Sequence, residues 1–342
     1  MRSSLAACVL VAAVFAVPHA RAQDKWGPIE ILGKPVAPGE TARAFADVAG
    51  ALGGKSRALD TLVVVTRGVR PGPTLCLVAG IHGDEINGLA IAHRIYSQTK
   101  GADLAGTLIA VPSVNVQGIR SGNRYLPDRR DLNRAFPGSA NGSLAGRIAH
   151  SLFQGVIRHC GALIDLHTGS NSRTNLPQIR TDLESPKALA LARSFGVGVV
   201  LAGRGPKGSL RRAVLDAGVP AVIYEAGEPL RFEEDVIAAG AEGVRNVMID
   251  LRMIAGAKTR GDSEVYRKTA WVRSGDALGI FLTARKPGQL VKKGDSLGTV
   301  TDPVTEEKAT ITAPRDGRII GMALPQLVLP GYGLFHLGFD PE

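Results

Sequence analysis

The sequence predicts an α/β sheet covered by helices on both faces, followed by a small all-β domain. Three observations predict it. From Thr61 to Ile254, short apolar runs alternate with amphipathic stretches, as strands joined by crossover helices do. After Ala255 this rhythm gives way to short β patterns parted by Gly, Pro and Asp turns. Three of the apolar runs also stop just before residues that carry chemistry. Leu75–Ala79 precedes His82 and Glu85, Leu163–Leu166 precedes His167, and Ala221–Tyr224 precedes Glu225. In open α/β sheets, sites form beyond such strand ends.

Residues 23–58 are punctuated by Gly and Pro and show no strong helix signal. Thr61–Val65 and Thr74–Ala79 read as strands, Glu85–Ser97 as a helix and Leu108–Pro112 as a strand. Ser143–Ile157 is a helix with Ser143 as its N-cap. Leu163–Leu166 is a strand, Pro186–Phe195 a helix, Val197–Leu201 a strand, Ser209–Ala217 a helix and Ala221–Tyr224 a strand; Glu233–Ile254 is mostly helical. Gly118–Gly142 breaks the alternation, being polar and rich in Arg, Asn, Gly and Pro, and a loop that long in a compact domain is usually functional. Residues 255–265 form a polar linker. From Trp271 onward come turns such as Lys293-Gly294-Asp295 and Arg315-Asp316-Gly317. The expected division is a leader at 1–22, a catalytic domain at 23–257 and a β-barrel-like accessory domain at 258–342.

The leader rests on Arg2, an apolar run of 13 residues from Leu5 to Val17, and Ala20-Arg21-Ala22 as a small-x-small cleavage site before Gln23. The run is too short to span a bilayer, and no other segment reads as a membrane helix. Cys8 stands at the start of the apolar run rather than its end, which argues against lipidation. A periplasmic or secreted protein of about 320 residues is expected. Loss of Arg2 and Arg21 takes the net charge from +10 to +8. The excess is scattered, with no basic run or basic-aromatic stripe, so it disfavours nucleic acid and favours small anionic substrates. Cys76 and Cys160 remain after cleavage. Each lies in or beside an apolar strand pattern, and an exported protein can oxidise them. If those strands are neighbours a disulfide is possible, but a central sheet rarely offers its geometry, so free buried thiols are preferred to it.

Two His and a Glu form a zinc ligand set that leaves a fourth position open, so His82, Glu85 and His167 are the candidate ligands of one zinc ion per chain. Glu225, at a further strand end, is the candidate base. Taken singly, a His after a strand is more often a hydrogen-bonded turn residue, and a lone Glu caps turns; the joint occurrence carries the reading. His93 and His150 fall inside helix patterns, His19 leaves with the leader, and His159 and His336 have no evident partner.

Gly80-Ile81-His82-Gly83-Asp84-Glu85, Asp131-Leu132-Asn133-Arg134-Ala135-Phe136-Pro137-Gly138, Asp165-Leu166-His167-Thr168-Gly169 and Tyr224-Glu225-Ala226-Gly227 together resemble the succinylglutamate desuccinylase/aspartoacylase family, within the wider zinc carboxypeptidase-like group. The resemblance covers roughly residues 28–342. It implies a three-layer α/β/α domain with a mixed sheet, zinc on His82, Glu85 and His167, and Glu225 as general base. It also implies that Asp131 orients the first zinc histidine from behind, and that Asn133 and Arg134 grip a substrate carboxylate. Arg124 matches the arginine that stabilises the developing oxyanion. The family's second carboxylate-binding arginine has two candidates here, Arg211 and Arg212. Arg129 and Arg130 read as solvated loop residues.

A rival motif is present. Gly203-Arg204-Gly205-Pro206-Lys207-Gly208 matches GxGxxG between a strand and a helix, with Glu225 near the place of a ribose-binding acid. Pro206, two basic residues and the short remaining chain argue against a dinucleotide fold. The C-terminal region resembles a biotinyl/lipoyl-like sandwich barrel. Where a carrier domain places its modified Lys, seven residues before Ala313-Pro314, this chain has Glu306, which favours a cap or homo-oligomerisation module over a swinging arm. The function expected is an exported zinc-dependent amide hydrolase acting on a small carboxylate-bearing N-acyl amino acid. The alternative is a periplasmic zinc carboxypeptidase or amidase trimming cell-wall peptides. A non-catalytic binding protein ranks below both.

Overall fold

A computed structural model describes residues 26–46, 60–259, 261 and 263–342; the leader read at 1–22 lies outside these. The first strands are β1 (Ile29–Ile31), β2 (Lys34–Val36), β3 (Thr41–Ala46), β4 (Thr61–Arg67), β5 (Arg70–Ala79), β6 (Ala105–Val111), β7 (Ala162–His167), β8 (Arg173–Thr181), β9 (Val199–Ala202) and β10 (Ala221–Gly227). The helices are α1 (Asn87–Gln98), α2 (Val116–Ser121), α3 (Leu144–Gly155), α4 (Pro186–Phe195), α5 (Leu210–Asp216) and α6 (Glu234–Asp250). The chain ends with β11 (Glu264–Tyr266), β12 (Lys268–Arg273), β13 (Gly279–Leu282), β14 (Leu290–Val291), β15 (Ser296–Thr301), β16 (Lys308–Thr312), β17 (Gly317–Ala323), β18 (Gln326–Val328) and β19 (Gly333–Phe339).

The centre of the large mixed sheet is the parallel set β6-β5-β7-β10. These strands read as continuous apolar runs because helices bury both of their faces. The period of two is visible in β5. Leu75, Leu77 and Ala79 pack with Ile91 of α1, Phe195 of α4 and Val244 of α6, whereas Cys76 and Val78 pack with Ile148 of α3 and Leu210 of α5. Serines start three of the helices. Ser143, Ser185 and Ser209 accept N–H bonds from Gly146, Ala188 and Arg212, and α4 adds Pro186 at its first turn and Gly196 in the left-handed conformation after its last.

The sequence gives no strand signal for β8. Its run Arg-Thr-Asn-Leu-Pro-Gln-Ile-Arg-Thr contains a proline and more polar than apolar residues. It is a long strand with three neighbours. β10 pairs along one side, while β17 takes Arg173–Asn175 and β9 takes Ile179–Thr181 on the other. A register shift in the β10 pairing falls between Glu225 and Gly227, opposite the stretch that contains Pro177.

Through β8 the sheet continues past the linker at 255–265. β11 adds to β9, and β17, β19, β12 and β14 join the same 13-stranded sheet; β16-β15-β13-β18 form a separate four-stranded sheet packed against it. Glu306, in the carrier-lysine place, lies on the turn between β15 and β16.

The free thiols expected at Cys76 and Cys160 are corrected by the structure, which joins them with a Cα–Cα separation of 5.6 Å. Geometry is available because Cys160 is not in the sheet. It follows a 3-10 turn and lies just before β7, under the face on which Cys76 points. The bridge closes a separation of 84 residues between β5 and the turn just before β7, two strands that lead to candidate ligands. Replacing both cysteines by alanine should lower the unfolding free energy by about 2–5 kcal/mol, the range for losing a native bridge over a long loop. Urea denaturation with and without reductant checks this; a midpoint unmoved by reductant would place the bridge outside the stability of the fold.

Candidate active site

The site lies at the carboxyl ends of β5, β7 and β10. β7 and β10 run parallel, with Glu225 directly level with His167. The β5–α1 connection brings His82 and Glu85 to the same place. All four candidate residues line one cleft of about 400 Å³.

Glu85 is the centre of this arrangement and is almost completely buried. Its Oε1 lies 2.7 Å from His82 Nδ1 and its Oε2 lies 2.6 Å from His167 Nδ1. The Thr168 backbone N–H donates to Oε2 at 3.2 Å, Arg124 Nη1 donates to Oε1 at 2.9 Å, and the Ser170 hydroxyl donates to Oε1 as well. Burial by itself would raise the Glu85 pKa, but the adjacent His82 and His167 hold it well below the usual carboxylate range.

Behind the histidines stand two carboxylates. His82 Nε2 is 3.2 Å from Asp131 Oδ1, and His167 Nε2 is 3.0 Å from Asp165 Oδ2. Asp131 also accepts from Asn133 N at 2.8 Å and from Arg124 Nη2 at 3.1 Å. Each imidazole thus turns Nε2 to a carboxylate and Nδ1 to Glu85. One ligand atom from each of His82, Glu85 and His167 lies within 4.8 Å of the others. Paired acids behind histidines fit a divalent cation such as zinc, because they fix ring orientation and raise ligand basicity. Burial lowers the pKa of each histidine, but Glu85 with Asp131 raises that of His82, and Asp165 with Glu85 raises that of His167 further. A metal at these three atoms therefore competes with protons.

The remaining candidates are distributed around the cleft. Glu225 Oε2 accepts from Asn175 Nδ2 at 2.7 Å, and its Oε1 is 3.6 Å from Arg180 Nη1. Asn133 is buried, and its Oδ1 accepts from Leu210 N at the start of α5, which leaves its NH2 as the group to offer a ligand. Arg134 is half exposed at the mouth. Of the two arginines left open by the sequence, Arg211 is buried in the cleft wall, whereas Arg212 pairs with Asp216 on the outer face of α5. Arg129 and Arg130 are exposed. The glycine-rich turn serves packing. Gly208 has φ +85°, and a Cβ there would lie 2.3 Å from the Arg134 carbonyl; its own carbonyl accepts from Phe136 N. The turn thereby supports the Asn133-Arg134 segment from behind.

Several lining residues escape a reading of the sequence. Asp165 was visible in principle, since residues two apart on a strand share a face and Asp165 precedes His167 by two. Arg180, Asn175 and Arg173 lie on β8, whose polar pattern conceals it as a strand. Trp271 comes from the C-terminal part and stacks at 4.8 Å on the buried ring of His336, which burial and the neighbouring Arg180 push down to about 3. Arg211 has neither Nε nor Nη1 hydrogen-bonded, and Arg180 Nε is likewise without a partner among the described residues. Burial, and then Arg180, bring the Arg211 pKa down to about 10, so it stays charged at neutral pH.

Asp165→Asn should weaken zinc binding roughly tenfold to a hundredfold while leaving the ligand set intact, as loss of a carboxylate behind a metal histidine does. Competition with a chromophoric chelator measures this; unchanged affinity would mean that Asp165 does not support His167.

The model of the succinylglutamate desuccinylase/aspartoacylase catalytic domain matches residues 71–251, which include every one of these candidates except Trp271 and His336. The chain is 26% identical over 285 residues, 79% of its length and 82% of the relative's, to the N-alpha-acetyl-L-2,4-diaminobutyric acid deacetylase of Halomonas elongata. Its fold is similar to a succinylglutamate desuccinylase/aspartoacylase structure from Rhodobacter sphaeroides, with TM-score 0.79, 24% identity and coverage of 88% of this chain and 95% of that one. It is also similar to the product-bound ectoine utilization protein EutE from Ruegeria pomeroyi, with TM-score 0.76, 25% identity and coverage of 82% and 90%. With more than half of its length matched and the two histidines, glutamate and strand-end acid brought into one cleft, the chain belongs to the succinylglutamate desuccinylase/aspartoacylase family.

Proposed function

We propose that this chain is an exported, zinc-dependent deacylase of N-acylated amino acids whose side chain carries a negative charge. The observation that carries the choice of substrate is Arg211, a buried guanidinium with unpaired donors facing the cleft that holds Glu225. A buried charge without a partner is expensive, and sites that hold one have a ligand that completes it. Five arginines, Arg124, Arg134, Arg173, Arg180 and Arg211, line the cleft against two glutamates, Glu85 and Glu225. This balance suits two carboxylates on one substrate. The Halomonas relative is named for a substrate with a side-chain amine; beside Arg180 and Arg211 such a cation would meet like charge.

Held by His82, Glu85 and His167, zinc would supply a Lewis acid that polarises the scissile carbonyl and lowers the pKa of the attacking water. The protein's own residues do the rest. Asn175 fixes one oxygen of Glu225, and the other, which lies 3.6 Å from Arg180 Nη1, is the one placed to take the proton of the water and return it to the leaving nitrogen. Arg124, braced by Glu85 and Asp131, is the cation assigned to the oxygen that gathers negative charge. Arg134 and the Asn133 amide take one substrate carboxylate, and Arg211 with Arg180 the other. The cleft volume of about 400 Å³ is that of a small-molecule site, which favours this reading over the trimming of cell-wall peptides. Export is supported by the leader pattern and by the Cys76–Cys160 bridge, since disulfides persist in oxidising compartments. For the C-terminal β region we retain the biotinyl/lipoyl-like reading, as a wall of the site rather than a carrier.

A panel of N-acyl amino acids and muropeptides, assayed with metal analysis, tests the reading; hydrolysis of muropeptides alone would overturn it. Glu225→Gln should lose at least about a hundredfold in kcat while keeping its metal, because it removes a base and no ligand. Near-normal activity of the metal-loaded variant would sink the assignment. Arg211→Met should raise KM for acidic substrates about tenfold to a hundredfold, as loss of a charged hydrogen bond does, with thermal stability unchanged or higher because two of the lost donors are unbonded among the described residues. A fall in stability at constant KM would make Arg211 structural.

A further inference from the structure

The segment after His167 carries an unusual backbone. Asn171 and Ser172 are consecutive non-glycine residues with φ of 52° and 54°. Asparagine visits the left-handed region as a single residue, serine seldom does, and two in a row persist only where the surroundings over-determine them. The surroundings here come from the far end of the chain. The Tyr332 hydroxyl donates to the Asn171 carbonyl at 2.7 Å, across a separation of 161 residues. The Ser172 carbonyl accepts twice, from Leu324 N at 2.9 Å and from Gln326 Nε2 at 2.8 Å. Arg173 follows, with its guanidinium 4.4 Å from the Tyr332 ring and 5.3 Å from the Trp271 ring, and with Nε donating to the Gly333 carbonyl. The pairing of Ala323 with Arg173 completes the hold.

The held loop has a chemical end. Ser170, next to the left-handed pair, donates its hydroxyl to Glu85 Oε1 and accepts from Arg124 Nη1. Thr168, on the other side of Gly169, donates its backbone N–H to Glu85 Oε2. Gly169 permits the approach, because a Cβ there would lie 2.2 Å from the Arg173 carbonyl.

We propose that Tyr332 and Gln326 are positioning residues, which act on the reaction by clamping the 169–173 loop so that Ser170 sets the relative placement of Glu85 and Arg124. Neither residue touches the cleft. The consequence for catalysis rests on the deacylase reading above; the clamp itself does not.

The test uses the full chain loaded with zinc. Tyr332→Phe removes one donor and keeps the ring over Arg173, and Gln326→Met removes the other. Each should lower kcat on N-acetyl-L-aspartate about tenfold, on the order of one lost hydrogen bond, with KM within about twofold and metal content unchanged. Amide hydrogen exchange in peptides spanning 168–173 should quicken by a similar factor, about tenfold. In a Ser170→Ala background, Tyr332→Phe should cost nothing further, since both changes release the same contact. Additive losses in that cycle, or unchanged exchange in the loop, would overturn the proposal. If the wild type hydrolyses no member of the N-acyl panel, the deacylase reading fails, and the exchange comparison alone decides the clamp.

Discussion

A carboxylate buried as deeply as Glu85 must be met by donors from every side, and in this protein the donors come from four stretches of chain. His82 comes from the β5–α1 connection, Arg124 from the long polar loop, His167 and Thr168 from the end of β7, and Ser170 from the loop beyond it. Removing any one leaves charge or dipole uncompensated in a region that water does not reach, which is strongly unfavourable. The arrangement therefore selects one relative placement of four segments. The same constraint reaches the polar stretch at 122–142, which is tied through Arg124 and Asp131 to the centre it surrounds.

Electrostatics extends this outward in layers. Glu85 and the histidines balance one another, and Asp131 and Asp165 balance the histidines from behind. Beyond them the cleft turns cationic, with Arg180 close enough to depress Arg211, whose Nε and Nη1 have no hydrogen-bond partner among the described residues. A field of this kind draws anions in and discourages amines.

Much of the centre was legible because fully buried parallel strands print themselves as apolar runs, and because a His or Glu directly past such a strand is delivered to the crevice where α/β sheets bind their ligands. β5, β7 and β10 satisfy both conditions. β8 satisfies neither: its side chains line the cleft, so its polarity follows from the site, and Arg180 and Asn175 were concealed with it. Asp165 shows a different failure, since its period-two relation to His167 was present but looked like part of the apolar run. Ser170, Tyr332 and Gln326 could not be read at all, because nothing in the sequence pairs residues so far apart. The cysteines failed on geometry; the pairing depends on Cys160 lying beneath the sheet rather than in it, a difference of two residues from the start of β7.

That bridge has a further consequence. β5 and β7 are adjacent parallel strands with Cys76 level with Leu163, and their far ends carry His82, Glu85 and His167. Strand pairs held only by backbone hydrogen bonds can slip by two residues and keep every side chain on its own face. Such a slip would carry His167 about 7 Å along the strand axis, given a rise of roughly 3.3 Å per residue, and pull the histidines out of reach of a common ion. A covalent link near the opposite end of the pair forbids that sliding motion, so the ligand spacing is gauged from the back of the sheet as well as from the front.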